Sequence, residues 1–214
     1  MPISISDPHT LVFDHSENIW FSAQHSNAIG RLHRDSGKLD VIKLKTSSAR
    51  PYGIAVDSGQ NAWSVLLGTN KIAKVDSQSL ALTEFEIPQK DARPRRLVVT
   101  KYDNIWFVDY RGGYLMRYQS KTNQFRHWQM PSKDKSYPYG MALDKAGRIW
   151  IAETGPYPNK VVIFDTNRLA FISSQTIPSG GAIRHMYYHS LSDSVWFGVD
   201  TGYIVRLRLL PQSK

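Results

Sequence analysis

The chain has 214 residues, no cysteine and a formal net charge of +9. That length allows one large domain or two small ones, and 41% hydrophobic with 21% charged residues argues for a packed core rather than disorder. The lack of cysteine excludes disulfides, thiolate metal sites and a cysteine nucleophile, and leaves the compartment open. No apolar run nears the roughly 18 residues that span a membrane. The N-terminal stretch Met1-Pro2-Ile3-Ser4-Ile5-Ser6-Asp7-Pro8 has no basic segment followed by an apolar one, so no signal peptide is visible. As written the chain reads as cytoplasmic, with export open if the start is shortened. The positive charge favours anionic partners in general. Neither a recognition helix nor an ordered stacking platform speaks for nucleic acid.

Taken in order, the chain is five copies of one unit. Trp20, Trp63, Trp106, Trp150 and Trp196 are spaced by 43, 43, 44 and 46 residues, and Trp128 falls outside the series. Pro8, Pro51, Pro94 and Pro138 each stand 12 residues before their tryptophan, with Ile183 near that position in the fifth copy. Each copy opens on the proline with an apolar run such as Tyr52-Gly53-Ile54-Ala55-Val56, then a polar turn such as Asp57-Ser58-Gly59-Gln60. A strand follows around the tryptophan, then a third run such as Asn27-Ala28-Ile29-Gly30-Arg31-Leu32, and a fourth such as Leu82-Thr83-Glu84-Phe85-Glu86. The runs are short, rich in β-branched and aromatic residues and bounded by turn formers. No segment sustains a helical period.

Four strands per repeat of this length describe a propeller blade. The expected fold is therefore all-β, a β-propeller of five four-stranded blades in a single domain over 1–214, with a place inside a seven-bladed propeller as the alternative. The repeats run at about 7–49, 50–92, 93–136, 137–180 and 181–210. The last copy has three runs, Ile183–His189, Ser194–Val199 and Tyr203–Leu209, so residues 2–6 are expected to complete it and hide a sheet edge.

In such blades the loop before the first strand and the loop after the tryptophan strand lie at one end, where convergent polar groups make the default ligand site. The proline loops bring Asp7, His9, Arg50, Tyr52, Arg93, Arg95, Arg96, Tyr139, Arg184 and His185 there; the loops after the tryptophans bring Gln24, His25, Asp109, Tyr110, Glu153, Thr154 and Asp200. The opposite turns, at Asp14, Asp57 and Asp144, read as ordinary solvated hairpins. The tryptophans read as packing between blades. The arginines read equally as struts and as ligand clamps. No Ser-His-Asp spacing, phosphate loop or metalloprotease helix is present.

The blade pattern, proline with His/Tyr-Gly, then a Trp-Phe strand, then Asn-x-Ile-Gly-Arg-Leu, resembles that of the virginiamycin B lyase (streptogramin lyase) family. The resembling segments include Asp7-Pro8-His9-Thr10, Arg50-Pro51-Tyr52-Gly53, Arg93-Pro94-Arg95-Arg96, Ile151-Ala152-Glu153-Thr154-Gly155 and Ser179-Gly180-Gly181-Ala182-Ile183-Arg184-His185-Met186. The resemblance implies a seven-bladed relative that opens a cyclic depsipeptide antibiotic at its ester by elimination. It implies a proline-loop histidine for proton transfer and magnesium held through two glutamates. Asp7-Pro8-His9 is similar to the family's Glu-Pro-His, with aspartate for glutamate. The second glutamate position falls on Gln24 in that repeat and on Asp200 in the last, where Arg184 holds the histidine position beside His185. The resemblance thus implies His9 and His185 as catalytic candidates and Asp7, Glu153 and Asp200 as candidate Mg2+ ligands, while loop position makes Tyr52, Arg95, Arg96, Tyr139 and Arg184 candidate substrate contacts.

The first functional reading is a lyase-like enzyme on a cyclic or ester-containing small molecule, with a divalent cation. The second is a non-catalytic binding module for an anionic ligand or a protein partner. A third, a lactone-hydrolysing propeller, lacks its expected asparagine-rich metal set. The expected partners are a small-molecule substrate and no membrane, with the chain a monomer.

Overall fold

The computed structural model describes residues 5–178 and 180–209. The described residues form five antiparallel sheets in which each strand pairs with its sequence neighbour, four of four strands and a last one of three. A single turn of 3-10 helix, Lys133–Lys135, is the one helical element among them. This is the all-β architecture of propeller blades. The chain gathers into two compact units, Met1–Trp128 with blades 1 to 3 and Gln129–Lys214 with blades 4 and 5.

The proline ruler marks where blades begin. First strands start at Pro8, Pro51, Pro94 and Pro138. A first-strand position suits proline, which lacks the N–H a ladder would need. The tryptophan strands are Ile19–Ala23, Ala62–Leu66, Asn104–Asp109, Arg148–Glu153 and Ser194–Val199. In the fifth blade the first strand is Met186–His189, three residues shorter than the run from Ile183. Ile183 instead accepts the Gly140 N–H of the preceding blade at 3.3 Å. The third strand there ends at Leu207 rather than Leu209. Residues 2–4 of the expected completing strand lie outside the described residues. Ile5 is buried, clustered with Phe21, Ala23 and Ala28 of blade 1.

The turns after the first strands are not plain solvated hairpins. Asp14, Asp57 and Asp144 stand six residues before their tryptophans and are 7%, 6% and 4% exposed. Asp14 Oδ1 accepts the N–H groups of Ser16 and Asn18, both at 2.9 Å, and its Oδ2 accepts the Trp20 indole N–H at 3.1 Å. Asp57 and Asp144 repeat this, taking the indoles of Trp63 and Trp150 at 2.8 and 2.9 Å. The fourth turn residue is left-handed each time: Glu17, Gln60 and Gly147 have φ of 60°, 66° and 78°. Each carboxylate thus closes its own turn and satisfies the one polar atom of a buried tryptophan, which is how a large indole enters a core.

Three of the repeat tryptophans pack against the next blade. Trp20 clusters with Ile54, Ala62, Ala73 and Val75 of blade 2, and Trp150 with Ile183, Met186, Val195 and Phe197 of blade 5. Trp63 lies 5.7 Å from the Tyr118 ring of blade 3. Trp20, Trp63, Trp106 and Trp150 are 0 to 4% exposed, whereas Trp196 is 36% exposed.

Candidate functional site

The register puts the proline loop and the end of the tryptophan strand together, with Pro8 opposite Ala23, Pro51 opposite Leu66, Pro94 opposite Asp109 and Pro138 opposite Glu153. Directly after each of these prolines the ladder skips. Pairing resumes at Thr10, Ile54, Leu97 and Met141. The residues left in the irregularity are His9, Tyr52-Gly53, Arg95-Arg96 and Tyr139-Gly140. A bulge bends the strand and re-aims its side chains, and here it does so at five of the positions singled out from sequence, His9, Tyr52, Arg95, Arg96 and Tyr139. The bulged carbonyls are satisfied by two buried serines: Ser22 Oγ donates to Tyr52 O at 2.6 Å and Ser64 Oγ to Gly53 O at 2.9 Å.

In the first unit these residues gather. The His9 imidazole lies 4.1 Å, centroid to centroid, from the Tyr52 ring. Its Nδ1 is 2.8 Å from Thr10 Oγ1, and Arg96 Nη1 donates to the same hydroxyl oxygen at 2.8 Å. The guanidiniums of Arg96 and Arg95 lie 5.2 and 5.9 Å from the Tyr52 ring centre, and Arg95 stands 4.0 Å from that of Tyr110. The ring faces hold the cations by their quadrupole. Burial lowers the His9 pKa from its ordinary 6.5, the Arg96 charge lowers it further, and the Asp7 charge opposes both. The imidazole is thus held neutral at neutral pH, the form that accepts a proton.

The candidate carboxylates fasten loops. Asp7 Oδ1 accepts the Ser26 N–H at 3.1 Å and the Ser26 hydroxyl, and its Oδ2 accepts the His25 N–H. Burial raises the Asp7 pKa, but these hydrogen bonds outweigh it and the net shift is downward. In the second unit Glu153 is fully buried, accepting the Ser132 N–H at 2.9 Å and the Ser132 hydroxyl at 2.6 Å, one on each oxygen. Asp200 Oδ1 accepts the Ala182 N–H at 2.7 Å, and its Oδ2 lies 3.6 Å from Arg184 Nη2. Tyr139 is buried, and the exposed His185 directly precedes the fifth blade's first strand.

Magnesium asks for several open oxygen ligands and keeps waters of its own. Among the described residues no three His, Asp or Glu side chains gather in a way that holds a metal ion. The Asp7 and Glu153 oxygens are taken by backbone and hydroxyl donors, and those of Asp200 face the Ala182 N–H and the Arg184 cation. These residues, arranged so, do not fit the cation that the resemblance implies.

Thr10, which joins His9 to Arg96, was not among the candidates from sequence, nor were Ser22 and Ser64. The serines had a signal, a hydroxyl placed inside the apolar run after a tryptophan. Thr10 had none beyond standing where two other repeats carry glycine. A depression of about 750 Å3 lies elsewhere, lined by Phe13, Ile19, Leu32, His33 and Arg34 on blade 1. Its His33 Nε2 is 2.7 Å from Asp40 Oδ2, a carboxylate that also takes Arg31 and Lys38, so this imidazole belongs to an ion-pair cluster, and the bulged loops, where His9, Arg95 and Arg96 gather on one ring, are the candidate site. No described helix is long and apolar enough to cross a membrane.

Sheets of this kind, each strand paired with its sequence neighbour and each first strand bulged after its proline, define the class as β-propeller. The model of the virginiamycin B lyase family matches residues 1–157, and the chain belongs to that family. A streptogramin B lyase structure superposes with a TM-score of 0.83 at 22% identity, covering 99% of this chain and 72% of that one. A virginiamycin B lyase from Staphylococcus aureus gives 0.82 at 19%, covering 96% and 71%. A gluconolactonase from Xanthomonas campestris gives 0.71 at 17%, covering 95% and 73%. At these identities the likeness is one of fold. No curated protein sequence matches the chain.

Proposed function

We propose that the chain is a lyase that opens a cyclic or ester-containing small molecule by elimination, with His9 as the base. One observation carries the reading: a neutral imidazole with Nδ1 engaged by Thr10 stands beside the Arg96 guanidinium, which shares the same hydroxyl. With Nδ1–H donating to Thr10, Nε2 is the nitrogen left to take a proton. It takes the proton next to the substrate carbonyl, and that C–H electron pair becomes a carbon–carbon double bond. The C–O bond one carbon further breaks, and the ester's carboxylate leaves with its electron pair and needs no proton. Arg96 and Arg95 stabilise the enolate that develops, a task preorganised cations perform well in a partly desolvated site. Tyr52 positions both arginines. Family membership and the fold likeness support the reaction class.

The test incubates the purified chain with a type B streptogramin, with added magnesium and with a chelator, and weighs the product. Ring opening without gain of mass supports elimination, and equal rates in both tubes fit the fastened carboxylates. A gain of one water means hydrolysis and ends the lyase reading. The second reading, a binding module for an anionic ligand, is favoured by the two guanidiniums around Tyr52. Intact antibiotic in both tubes, with a 3-acyloxy carboxylate also left intact, would move the balance to it.

A further inference from the structure

The repeats carry an internal control. Two residues after the proline, blades 2 and 4 have Gly53 and Gly140, and both are tight. A Cβ on Gly53 would stand 2.7 Å from Arg95 O and 2.9 Å from Arg96 Cα; one on Gly140 would stand 3.0 Å from Met186 Cγ. Blades 1 and 3 break the rule with Thr10 and Arg96, and these two side chains meet at 2.8 Å although 86 residues separate them. One residue after the proline, the tyrosine of blades 2 and 4 gives way to His9 and Arg95. The four departures thus lie at two adjacent positions of the same two repeats, and His9, Arg95 and Arg96 all pack on the Tyr52 ring of the blade between. Positions that depart from a structural repeat and come together in space mark where these blades serve a ligand.

We infer that the substrate carries a carboxylate on the carbon that loses its proton, and that Arg95 and Arg96 together neutralise it. This rests on the elimination reading of the site. The argument is one of charge. Removing the proton beside an ester carbonyl builds one negative charge. Removing it beside a carboxylate builds two, and two cations are what such a dianion needs. Guanidinium forks also match carboxylate geometry, and they are less heavily hydrated than ammonium groups. The site that magnesium would serve in a neutral ester is then served by fixed arginines. The step balances as before: the α-proton goes to His9 Nε2, its electron pair becomes the double bond, and the oxygen on the β-carbon leaves with the C–O pair. The substrate class is a carboxylate with an acyloxy or alkoxy group two carbons away.

The probes are 3-acetoxybutanoate and its methyl ester. Calorimetric binding to the His9→Ala chain reads recognition without turnover, and crotonate release by the unaltered chain reads elimination. The acid is expected to bind about tenfold or more tighter than the methyl ester, and R96Q to lose about tenfold, in line with one charge-assisted hydrogen bond. R96K, which keeps the charge and loses the fork, is expected to fall between. Equal binding of acid and ester overturns the inference, as does inorganic phosphate competing as well as the acid, which would mean a general anion site. Should R96Q fail to fold, the acid–ester comparison and R96K decide. Discrimination without crotonate removes the lyase reading and leaves carboxylate recognition standing. Methyl crotonate made from the ester as fast as crotonate from the acid keeps the lyase and removes the carboxylate.

Discussion

At the tight-turn end of the blades, Asp14, Asp57 and Asp144 do one job three times, closing a turn and taking an indole N–H at 3.1, 2.8 and 2.9 Å. At the proline-loop end, the matching positions read His9, Tyr52, Arg95 and Tyr139, and no two blades in the first unit agree. The two ends share the same strands but not the same surroundings: the turn carboxylates are buried, while His9 is exposed and Arg95 and Arg96 are half-buried in register irregularities. What also differs is whether the repeat is allowed to drift. Sameness at the turn end is the signature of packing. Variety at the loop end, with the variants in mutual contact, is the signature of a site, and the four experiments that follow press on that contrast.

The largest effect belongs to the loop end. His9→Ala is expected to lower kcat/KM for ring opening by about 100-fold or more, the usual worth of a positioned general base, with the thermal midpoint unmoved. The pH profile adds a sign. His9 acts as the neutral form and its pKa is lowered, so activity should hold as pH falls to the ordinary 6.5 and drop only below it. R96Q removes the second cause of that shift, so its acid limb should move upward. An acid limb unmoved in R96Q would separate Arg96 from the base.

Next comes the turn end. Asp57→Ala leaves the Trp63 indole and the Asn61 N–H without their acceptor, and Asp57 is buried. One buried and one half-buried donor left unsatisfied put the loss at about 3 kcal/mol in urea unfolding. Thr100→Ala is the internal comparison, because Thr100 offers Trp106 a neutral hydroxyl at 3.1 Å, and its cost should be about 1 kcal/mol. Neither change should alter the pH profile of turnover. Equal losses would mean that the charge on the aspartate contributes nothing.

Gly53→Ala tests the coupling of the two habits. Its Cβ meets backbone atoms of Arg95 and Arg96, which cannot swing aside as a side-chain tip can, whereas a Cβ on Gly198 meets nothing within 4 Å. Overpacking of this kind costs about 1 to 3 kcal/mol, and here the strain falls on the arginine pair. Turnover in G53A should therefore fall further than stability does, while G198A should match the parent chain in both.

How much of this was legible follows the same division. Blades 1 to 4 could be placed from Pro8, Pro51, Pro94 and Pro138 because a proline marks where a ladder starts. The fifth copy lacks it, and there the first strand begins at Met186, after Ile183 has bonded across to Gly140. The indole acceptors sit at a fixed offset of six residues, so they were visible as residues but not as partners: a turn former and a buried acceptor share one letter. At the site, the residue types were legible and their contacts were not. The Thr10–Arg96 bond joins blades 1 and 3, and nothing local encodes it. The bulges that re-aim His9, Tyr52, Arg95 and Tyr139 are register events, and a pattern read along one strand does not contain the register of two.

The smallest expected effect decides what an acid at the loop end is for. Glu153 stands where a metal ligand was expected, yet its two oxygens accept the N–H and the hydroxyl of Ser132, 21 residues earlier, and it is fully buried. In E153Q the amide oxygen still accepts the N–H, and the serine hydroxyl can turn to accept from the new NH2 group. The loss should be about 1 kcal/mol in urea unfolding, the difference between a charged and a neutral hydrogen bond. The rate of ring opening and its response to magnesium should not change. A variant that keeps its stability but loses a magnesium-stimulated rate would place Glu153 on a metal, and the contrast between fastened acids and a working arginine–histidine cluster would then fall.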